Sequence, residues 1–366
     1  MKILYVISDC NIGGAGVLLC NILRNIDRKR FRCSVALPYG SELRERLLAL
    51  RVPVRELENP CDRFSPASVW ELSGVIREAS PHVVHANAAL CARIAGKLCG
   101  KKVVHTRHCC FPVEQSGNPL VRAAERMGNR LLSDRVIATA QAAAVNLEQL
   151  GIPRSEIRVI VNGSEPVRPV EEGELNEWRR RLRLDAQDFC VGICARLEPC
   201  KGHETFLRAA AIAVGRMPHR RFRFLIVGEG SQRRKLEGMI RAMGLEDVVR
   251  LTGFVSDMAP IYRLLRVNVN CSCGTETSCL AISEGMSASL PTVASSYGGN
   301  RAMIGNDGAG ICFPVGNATA LAEALCRIAS DPVLEQSMRQ AAYRRYSSRF
   351  TARAMTRRLE KLYLSL

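Results

Sequence analysis

The chain has 366 residues, a length that accommodates two domains of ordinary size. Hydrophobic residues make up 47% and charged residues 24%, a globular balance that excludes a disordered chain. No apolar run reaches the roughly 18–20 residues that a membrane span needs, and the formal net charge of +17 favours an anionic partner.

The sixteen cysteines are scattered and contain no C-x-x-C pair, and we expect no secretion signal, because the apolar run near the first residue is too short for one. We therefore expect small buried side chains in a reducing compartment, with no metal site. The protein is expected in the cytoplasm, with a peripheral place at the inner face of the membrane as a second possibility. Only 5% of residues are aromatic and no nucleic-acid-binding motif occurs, so an anionic membrane surface or a phosphate-bearing substrate fits the charge better than nucleic acid.

Alternating apolar strands and amphipathic helices predict a doubly wound parallel sheet in the first part of the chain. The predicted strands are residues 2–7, 33–38, 52–54, 81–87, 103–108, 135–140 and 157–160. The predicted helices between them are residues 17–26, 42–50, 69–79, 88–99, 119–132 and 141–150. Ligands of such sheets bind at the carboxyl ends of the strands.

A glycine-containing loop, residues 11–16, follows the first strand and includes Gly14, Ala15 and Gly16. A strand, a glycine loop and a helix in this order suit a phosphate group. The loop has no Walker lysine, and Leu19 occupies the place of the third glycine of G-x-G-x-x-G. A tight turn that lets the helix pack on the strand therefore remains an equal alternative.

Two histidines, His85 and His108, lie at predicted strand ends, where a structural role and a role in ligand binding are both open. In the predicted helix 119–132, Arg122, Arg126 and Arg130 recur every four residues and share one face. That face is either a solvated surface or a contact for a membrane or an acceptor phosphate.

Residues 166–188 are rich in proline and charge, have no strand pattern and are predicted to be a linker. In the second part, strands are predicted at residues 190–197, 222–227, 249–255, 267–270 and 290–294. Helices are predicted at residues 232–243, 261–265, after 278, at 320–329 and from 333 onward. Arg196 and Lys201 flank a loop after the first of these strands, where two cations can clamp a diphosphate, although exposed loops of this kind are common.

Two carboxylates, Glu276 and Glu284, stand eight positions apart around a predicted helix start. The backbone N–H groups of Ser278, Cys279 and Leu280 would be an anion site at that start. Together these groups could hold a sugar nucleotide, with the carboxylates accepting hydrogen bonds from hydroxyl groups. Solvated surface charges are the alternative.

The chain resembles the retaining glycosyltransferases of family 4, which have the GT-B fold. Glu276 and Glu284 match their E-x7-E motif, and Arg196-Leu-x-x-x-Lys201-Gly, Thr106-x-His108, Asn162-Gly163, the strand 289–294 and Gly298-Gly299 match further motifs. Three departures concern the sugar specificity and the loops. Thr277-Ser278-Cys279 replaces Gly-Phe-Gly, Ala302 replaces a frequent Glu, and Ala195 replaces a Gly.

The resemblance implies a role for each matched residue. Arg196 and Lys201 would stabilise the departing diphosphate, Glu284 would hold the ribose, and Glu276 would hold the sugar and orient its anomeric carbon. His108 would approach the donor sugar, and Gly14, Ala15 and Gly16 would lie near the diphosphate and the acceptor. Phe254 and Val255 would border the nucleobase, and Gly228, at the end of its strand, would be a further nucleotide contact.

The resemblance also implies the architecture: two Rossmann-like domains, residues 1–168 and 169–345, facing a cleft, with a C-terminal helix, residues 346–366, that packs back on the first domain. It implies a retaining, metal-independent and cofactor-free hexosyltransferase that uses a nucleoside-diphosphate sugar, with a UDP-sugar favoured over a GDP-sugar. The expected acceptor is a lipid-linked or phosphorylated glycan of cell-surface polysaccharide or glycolipid assembly. A GT-B sugar-nucleotide epimerase and a non-catalytic partner subunit remain open, and a nicotinamide dehydrogenase is disfavoured by the incomplete glycine pattern.

Overall fold

The computed structural model describes residues 1–10, 12–59, 64–108 and 127–366. Most of the predicted helix 119–132, including Arg122 and Arg126, lies outside the described residues, and residues 127–131 are helical. The chain divides into two compact units, Met1–Ser164 with Ala352–Leu366 and Glu165–Thr351. The expected second boundary, residue 345, falls inside the helix Pro332–Arg349, so the chain leaves the second unit only after that helix ends.

The first unit is built on a parallel sheet in the order β3-β2-β1-β4-β5-β6-β7. Its strands are β1 Lys2–Ile7, β2 Arg32–Pro38, β3 Val54–Leu57, β4 Val83–Asn87, β5 Lys102–Arg107, β6 Arg135–Ala138 and β7 Ile157–Val159. Its helices are Gly14–Asn25, Leu43–Ala49, Pro66–Ala79, Leu90–Leu98, Gln141–Gln149 and Ala352–Leu364, with a 3-10 turn at Arg154–Glu156. The prediction of a doubly wound parallel sheet is confirmed.

The second unit repeats this plan with six parallel strands in the order β10-β9-β8-β11-β12-β13. Its strands are β8 Phe189–Cys194, β9 Phe222–Val227, β10 Val249–Gly253, β11 Val267–Asn270, β12 Thr292–Ser295 and β13 Gly310–Phe313. Its helices are Glu172–Leu182, His203–Arg216, Arg233–Ala242, Ala259–Leu264, Leu280–Ser287, Asn300–Ile304, Ala318–Ser330 and Pro332–Arg349, with a 3-10 turn at Pro199–Lys201.

The sheets are covered on both faces, which is why the strands read as continuous apolar runs. Val6 and Val84 in the first unit and Val191 and Val293 in the second are fully buried. The thirteen cysteines that the structure describes are free thiols, and most are buried or half-buried. Among the described helices, none combines the length and the apolarity that crossing a membrane requires.

The C-terminal helix packs on the first unit, as predicted. The Tyr363 hydroxyl donates to the Tyr5 hydroxyl at 2.9 Å and lies 2.5 Å from Nδ1 of His85. The Asp27 backbone N–H donates to Oε1 of Glu360 at 2.7 Å. Because these polar contacts are buried or half-buried, they fix the helix more firmly than surface pairs would.

Two predictions about local structure were wrong. Residues 166–188 are not an unstructured linker, because Glu172–Leu182 is a helix. Its first turn carries Glu172 and Glu174 and its last turn carries arginines, a distribution that complements the helix dipole. Leu175, Trp178 and Leu182 form a short apolar stripe that packs on the core of the second unit. The predicted strand 52–54 lies at Val54–Leu57 instead, where β3 forms the sheet edge and Pro53 accepts a hydrogen bond from Val35.

Candidate active site

The candidate site of the second unit lies where β8, β11 and β12 end. The loop after β8 carries Arg196 and Lys201, and the loop after β11 carries Glu276. The two loops are joined by a backbone hydrogen bond of 2.8 Å from Cys273 N–H to Cys200 O. Parallel strands place these loops at one sheet edge, the usual position of a ligand in such a fold.

Lys201 and Glu276 form a direct ion pair. Lys201 Nζ lies 2.8 Å from Oε2 of Glu276, and the side chains are 18% and 9% exposed. Burial acts to lower the pKa of Lys201, but the charge and hydrogen bond of Glu276, together with Cys279 and Cys200, outweigh burial, so the pKa of Lys201 is raised. The site therefore holds a fixed ammonium next to a fixed carboxylate.

The Glu276 carboxylate is anchored through one oxygen. The Ser272 hydroxyl donates to the same Oε2 at 2.9 Å, so both hydrogen bonds reach one atom. Within the described residues, Oε1 of Glu276 receives no hydrogen bond. It is therefore available to accept one from a ligand hydroxyl.

Two glycines make the positions of these loops possible. Gly202 has φ +71, and a Cβ atom there would lie 2.1 Å from the Cys271 carbonyl oxygen. Gly298 has φ +56, and its Cβ would lie 2.0 Å from the carbonyl oxygen of Glu276. Only glycine combines this backbone conformation with such close approach. The Gly-Gly loop thus sets the backbone of Glu276 directly.

Glu284 lies in the second turn of the helix Leu280–Ser287, as predicted. Its Oε2 accepts a 2.9 Å hydrogen bond from the hydroxyl of Tyr262, a residue of the helix Ala259–Leu264. Burial raises the pKa of Glu284, and the Tyr262 hydroxyl partly opposes this shift. As with Glu276, one carboxylate oxygen is held by the protein, and Oε1 receives no hydrogen bond from a described residue.

The helix Leu280–Ser287 begins after Cys279, one position beyond the predicted start. Cys279 is the N-cap and its side chain caps no backbone N–H, so the helix end retains its positive partial charge. Burial, and next the Glu276 carboxylate, raise the pKa of Cys279 to about 12, so it is a neutral thiol. Ser278 is buried immediately before it.

A network of buried side-chain amides lies at the ends of β11 and β12, next to the site. Asn300 is fully buried, and its Nδ2 donates to Oδ1 of Asn270 at 3.1 Å and to the Ser295 carbonyl at 3.2 Å. The same Oδ1 of Asn270 accepts from the Ser272 backbone N–H at 3.0 Å. Since Ser272 binds Glu276, the network connects the ends of β11 and β12 to the carboxylate.

We expect Asn300→Ala to lower the free energy of unfolding by about 1–3 kcal/mol, because the Asn300 amide is one of the groups that satisfy buried acceptors. Urea denaturation measures the change. Asn306→Ala, at an exposed position, is the matched control and should stay within about 0.5 kcal/mol of the parent protein. Equal midpoints for both variants would show that the network does not contribute to stability.

The remaining predicted residues of this unit lie in different environments. Arg196 is exposed. The pKa of Glu198 is lowered mainly by hydrogen bonds from Ser231, and the charge of Arg196 makes a smaller contribution. Gly228 N–H donates to the Gly253 carbonyl at 3.0 Å, so the ends of β9 and β10 meet. Phe254 follows with 59% of its surface exposed, and Val255 is half-buried. An exposed aromatic ring at this strand end is available for a planar ligand.

In the first unit, Gly14, Ala15 and Gly16 are the first turn of the helix Gly14–Asn25 rather than a loop. The helix starts earlier than predicted because Gly13 is an extended N-cap and its carbonyl accepts from Val17 N–H at 3.0 Å. The N-cap has no side chain to bind the first N–H groups. The positive helix end is therefore retained at these three residues.

The two histidines predicted at strand ends lie in different places. His108 follows the end of β5, whereas His85 lies inside β4, paired with Tyr5 of β1 and Val104 of β5, so its predicted position was wrong. His85 is buried and bridges Tyr363 and Thr106 at 2.5 and 2.6 Å, which is a structural role. His108 is half-buried, and its Nε2 lies 3.1 Å from Oδ1 of Asn87. Burial lowers the pKa of His108 to about 4, so the ring is neutral at pH 7 and acts through hydrogen bonds.

The structure adds groups that sequence reasoning missed, Tyr262, Ser272, Asn270 and Asn300. In the sequence pattern, Tyr262 is one of the apolar residues of a short helix. Its hydroxyl contacts Glu284 only in the folded unit. Its phenolic group within an apolar segment was the one available signal, because a buried tyrosine hydroxyl needs a partner. Ser272 lies four positions before Glu276 and could be found from that proximity alone.

Two family models match the chain. The model described as Glycosyltransferase Family 4 matches residues 12–168, and the model described as Glycosyl transferases group 1 matches residues 175–345. Together they cover most of both units and every residue of the candidate site.

Individual relatives agree with the family models. The chain is 28% identical over 259 residues to the 2-deoxystreptamine glucosyltransferase of Streptomyces kanamyceticus. The matched region covers 67% of this chain and 66% of the relative. It is 26% identical over 317 residues to the D-inositol 3-phosphate glycosyltransferase of Thermobispora bispora, which spans 80% of this chain and 74% of the relative.

Solved structures show the same fold. The structure of Anabaena Alr3699/HepE in complex with UDP-glucose has a TM-score of 0.86 to this chain, at 23% identity and with 100% of both chains covered. Sucrose-phosphate synthase of Thermosynechococcus elongatus has a TM-score of 0.77 at 19% identity, covering 100% of this chain and 98% of that chain.

Proposed function

The chain belongs to glycosyltransferase family 4 and has the GT-B fold. We therefore propose that it transfers a sugar from a nucleoside-diphosphate sugar to an acceptor hydroxyl, with retention of the anomeric configuration. The observation that carries the proposal is the buried pair of Lys201 Nζ and Glu276 Oε2 at 2.8 Å. It sets a cation for the diphosphate beside an acceptor for sugar hydroxyls.

Lys201 and Arg196 stabilise the negative charge that grows on the leaving diphosphate. An ammonium that is 18% exposed acts in a medium of lower dielectric constant than water, so its effect on that charge is stronger. Arg196 is exposed and can move to the ligand. The positive end of the helix Leu280–Ser287 adds to both.

The two carboxylates hold hydroxyl groups of the donor. Oε1 of Glu276 accepts from a sugar hydroxyl and orients the anomeric carbon, while Oε1 of Glu284 accepts from the ribose. Each carboxylate is fixed through its other oxygen, by Ser272 and Lys201 in one case and by Tyr262 in the other. Fixed acceptors lose little conformational freedom when the donor binds.

In the proposed reaction the acceptor oxygen bonds to the anomeric carbon on the face from which the diphosphate departs. The bond from that carbon to the diphosphate oxygen breaks, and the acceptor proton goes to the departing diphosphate. No protein nucleophile and no metal ion takes part, since Arg196, Lys201 and the helix end supply the positive charge. His108 approaches the sugar as a neutral hydrogen-bonding group.

A UDP-sugar is the first donor to test and a GDP-sugar the second. The support is that the Anabaena structure of the same fold is described as a complex with UDP-glucose. Phe254 offers an exposed ring where the nucleobase is expected.

For the acceptor we propose a lipid-linked or phosphorylated glycan of cell-surface polysaccharide or glycolipid assembly. The net charge of +17 supports an anionic acceptor, and one relative is named for D-inositol 3-phosphate. The proposed location is the cytoplasm, with the protein peripheral at the inner face of the membrane.

Proton NMR of the purified protein with UDP-glucose, and in parallel with GDP-mannose, tests this function against its competitors. Transfer to an added glycan acceptor should give UDP and a product with the α-anomeric coupling constant of the donor. Conversion of the sugar nucleotide to an epimer without acceptor would establish an epimerase instead. An unchanged donor spectrum with every acceptor, despite nucleotide binding, would indicate a partner subunit.

The affinity for UDP should fall at acidic pH. Burial raises the pKa of Glu284, and protonation below that pKa removes the carboxylate that accepts from the ribose. The Tyr262 hydrogen bond lowers this pKa, so Tyr262→Phe should move the midpoint of the loss to higher pH. Calorimetric UDP titrations between about pH 4 and 8 measure the midpoints.

The exposed residue Tyr343, 51% accessible, provides the control for this experiment. Tyr343→Phe should leave the midpoint where it is in the parent protein. A midpoint that Tyr262→Phe also leaves unchanged would remove Glu284 from the nucleotide site.

A further inference from the structure

A concave surface that contains none of the residues of the candidate site lies beside β10, the edge strand of the six-stranded sheet. It encloses about 410 Å³ between the helices Glu172–Leu182 and Arg233–Ala242 and the strand itself. Five arginines line it, together with two glutamates, Glu237 and Glu246. These arginines are Arg181, Arg183, Arg233, Arg241 and Arg250, and we call the surface the arginine pocket.

Only one of the five arginines is neutralised by carboxylates. Arg233 Nε lies 3.0 Å from Oε1 of Glu237, and the same guanidinium also contacts Glu229. The pairing uses Glu237, one of the two glutamates of the pocket. The other four arginines have no ion pair within the described part of the chain.

Arg250 is held in place without being neutralised. Its guanidinium donates to the carbonyl oxygens of Leu182 at 3.2 Å and Val249 at 3.0 Å. Partial burial lowers the pKa of Arg250, the nearby charges of Arg223 and Arg183 lower it further, and the carboxylates of Asp247 and Asp188 oppose the shift without reversing it. The carbonyl oxygens therefore hold the Arg250 guanidinium in place, and neighbouring arginines add positive charge around it.

Arg181, Arg183 and Arg241 are exposed, and none makes a side-chain hydrogen bond or an ion pair with another described residue. Arg181 lies over the ring of Trp178, with its Cζ 4.7 Å from the centroid. Arg183 adopts φ +53 at the end of its helix, a position that usually favours glycine. A helix C-terminus attracts a cation, but its partial charge of about half a unit does not neutralise three arginines.

We propose that the arginine pocket is a binding site for a phosphate-bearing ligand, separate from the donor site. The uncompensated guanidinium groups converge on one concavity, where their mutual repulsion is relieved by an anion. Guanidinium forks match the oxygens of phosphate in pairs, and the volume exceeds what a single inorganic ion needs.

The phosphate can come from two sources. One is the headgroup of an anionic lipid, which would hold the second unit at a membrane surface. The other is a free phosphorylated molecule in solution. Both use the same chemistry, so two probes distinguish them: pyrophosphate, and vesicles of phosphatidylglycerol with phosphatidylcholine.

The test variant replaces the three unpaired arginines of the pocket by Arg181→Gln, Arg183→Gln and Arg241→Gln. The control variant makes the same change of net charge at exposed positions of the same unit that do not line the pocket, by Arg327→Gln, Arg344→Gln and Arg349→Gln. Calorimetry measures pyrophosphate binding, and co-sedimentation measures vesicle binding at low salt. Arg241→Gln alone serves if the triple variant unfolds.

The pocket variant should lose at least roughly tenfold in affinity for one probe or both, while the control variant stays close to the parent protein. A selective loss with vesicles identifies a lipid headgroup, and a selective loss with pyrophosphate identifies a free phosphate. Equal losses in pocket and control variants, or no loss in either, would overturn the proposal. UDP binding should persist in both variants, so this outcome is independent of the donor site.

Discussion

Lys201→Ala and Glu276→Ala are each expected to cost about 3–4 kcal/mol of transition-state stabilisation, a loss of roughly 10²–10³-fold in kcat/KM. Lys201 supplies a buried positive charge where the diphosphate leaves, and Glu276 orients the sugar. Because the two atoms are 2.8 Å apart, removal of either group also misplaces the other. Initial rates of UDP release from a UDP-sugar, with acceptor present, measure the loss.

Removal of one member of this pair leaves a largely buried charge without its partner, which can lower stability by about 3–5 kcal/mol. The rates are therefore compared below the unfolding temperature of each variant, and Lys201→Met and Glu276→Gln serve as milder substitutions. Lys235→Ala is the control, because Lys235 pairs with Glu204 at an exposed position. Turnover close to the parent protein in both alanine variants would remove the pair from the active site.

Gly298→Ala is expected to abolish most activity and to destabilise the second unit. The added Cβ would lie 2.0 Å from the Glu276 carbonyl oxygen, so the backbone of Glu276 must move. A displacement of about 1 Å at a positioning residue can cost 10²-fold in rate. Donor turnover and the thermal midpoint report the two effects separately.

Gly316→Ala is the control that separates the effect of the steric clash from the effect of the positive φ angle. Gly316 also has positive φ, +74, but a Cβ there meets no atom within 4 Å. This variant should show only the cost of about 1 kcal/mol that an alanine has in the left-handed region. If Gly298→Ala behaves like Gly316→Ala, the Gly-Gly loop does not position Glu276.

The alternation of strands and helices was readable because parallel strands buried on both faces form apolar runs. Three helices of the second unit were not predicted, and one of them, Asn300–Ile304, is only five residues long. In Glu172–Leu182 the charged residues outnumber a short apolar stripe of Leu175, Trp178 and Leu182, and of these only Leu182 is buried. His203–Arg216 begins directly after the Lys201-Gly202 loop, and its alanine-rich sequence was not assigned to a helix.

The carboxylates and cations of the site could be predicted, but their contacts could not. Glu276 and Glu284 follow a recognisable spacing, whereas the partner of Glu276, Lys201, is 75 positions away in the chain. Tyr262 is 22 positions from Glu284 and lies in another helix. Such pairs arise from the order of strands in the sheet, since β8 and β11 are neighbours only after folding.

The proposed nucleotide-sugar site depends on Lys201, Glu276 and Glu284. Thermal unfolding of the purified protein with UDP, GDP, ADP and CMP is the most direct test of this site. A nucleotide at about 100 times its dissociation constant adds about 2.7 kcal/mol of stability, enough for a clear rise in midpoint. We expect UDP to raise the midpoint more than the other three nucleotides do, and to raise it much less in Lys201→Ala. No rise with any of the four nucleotides would contradict the proposed site.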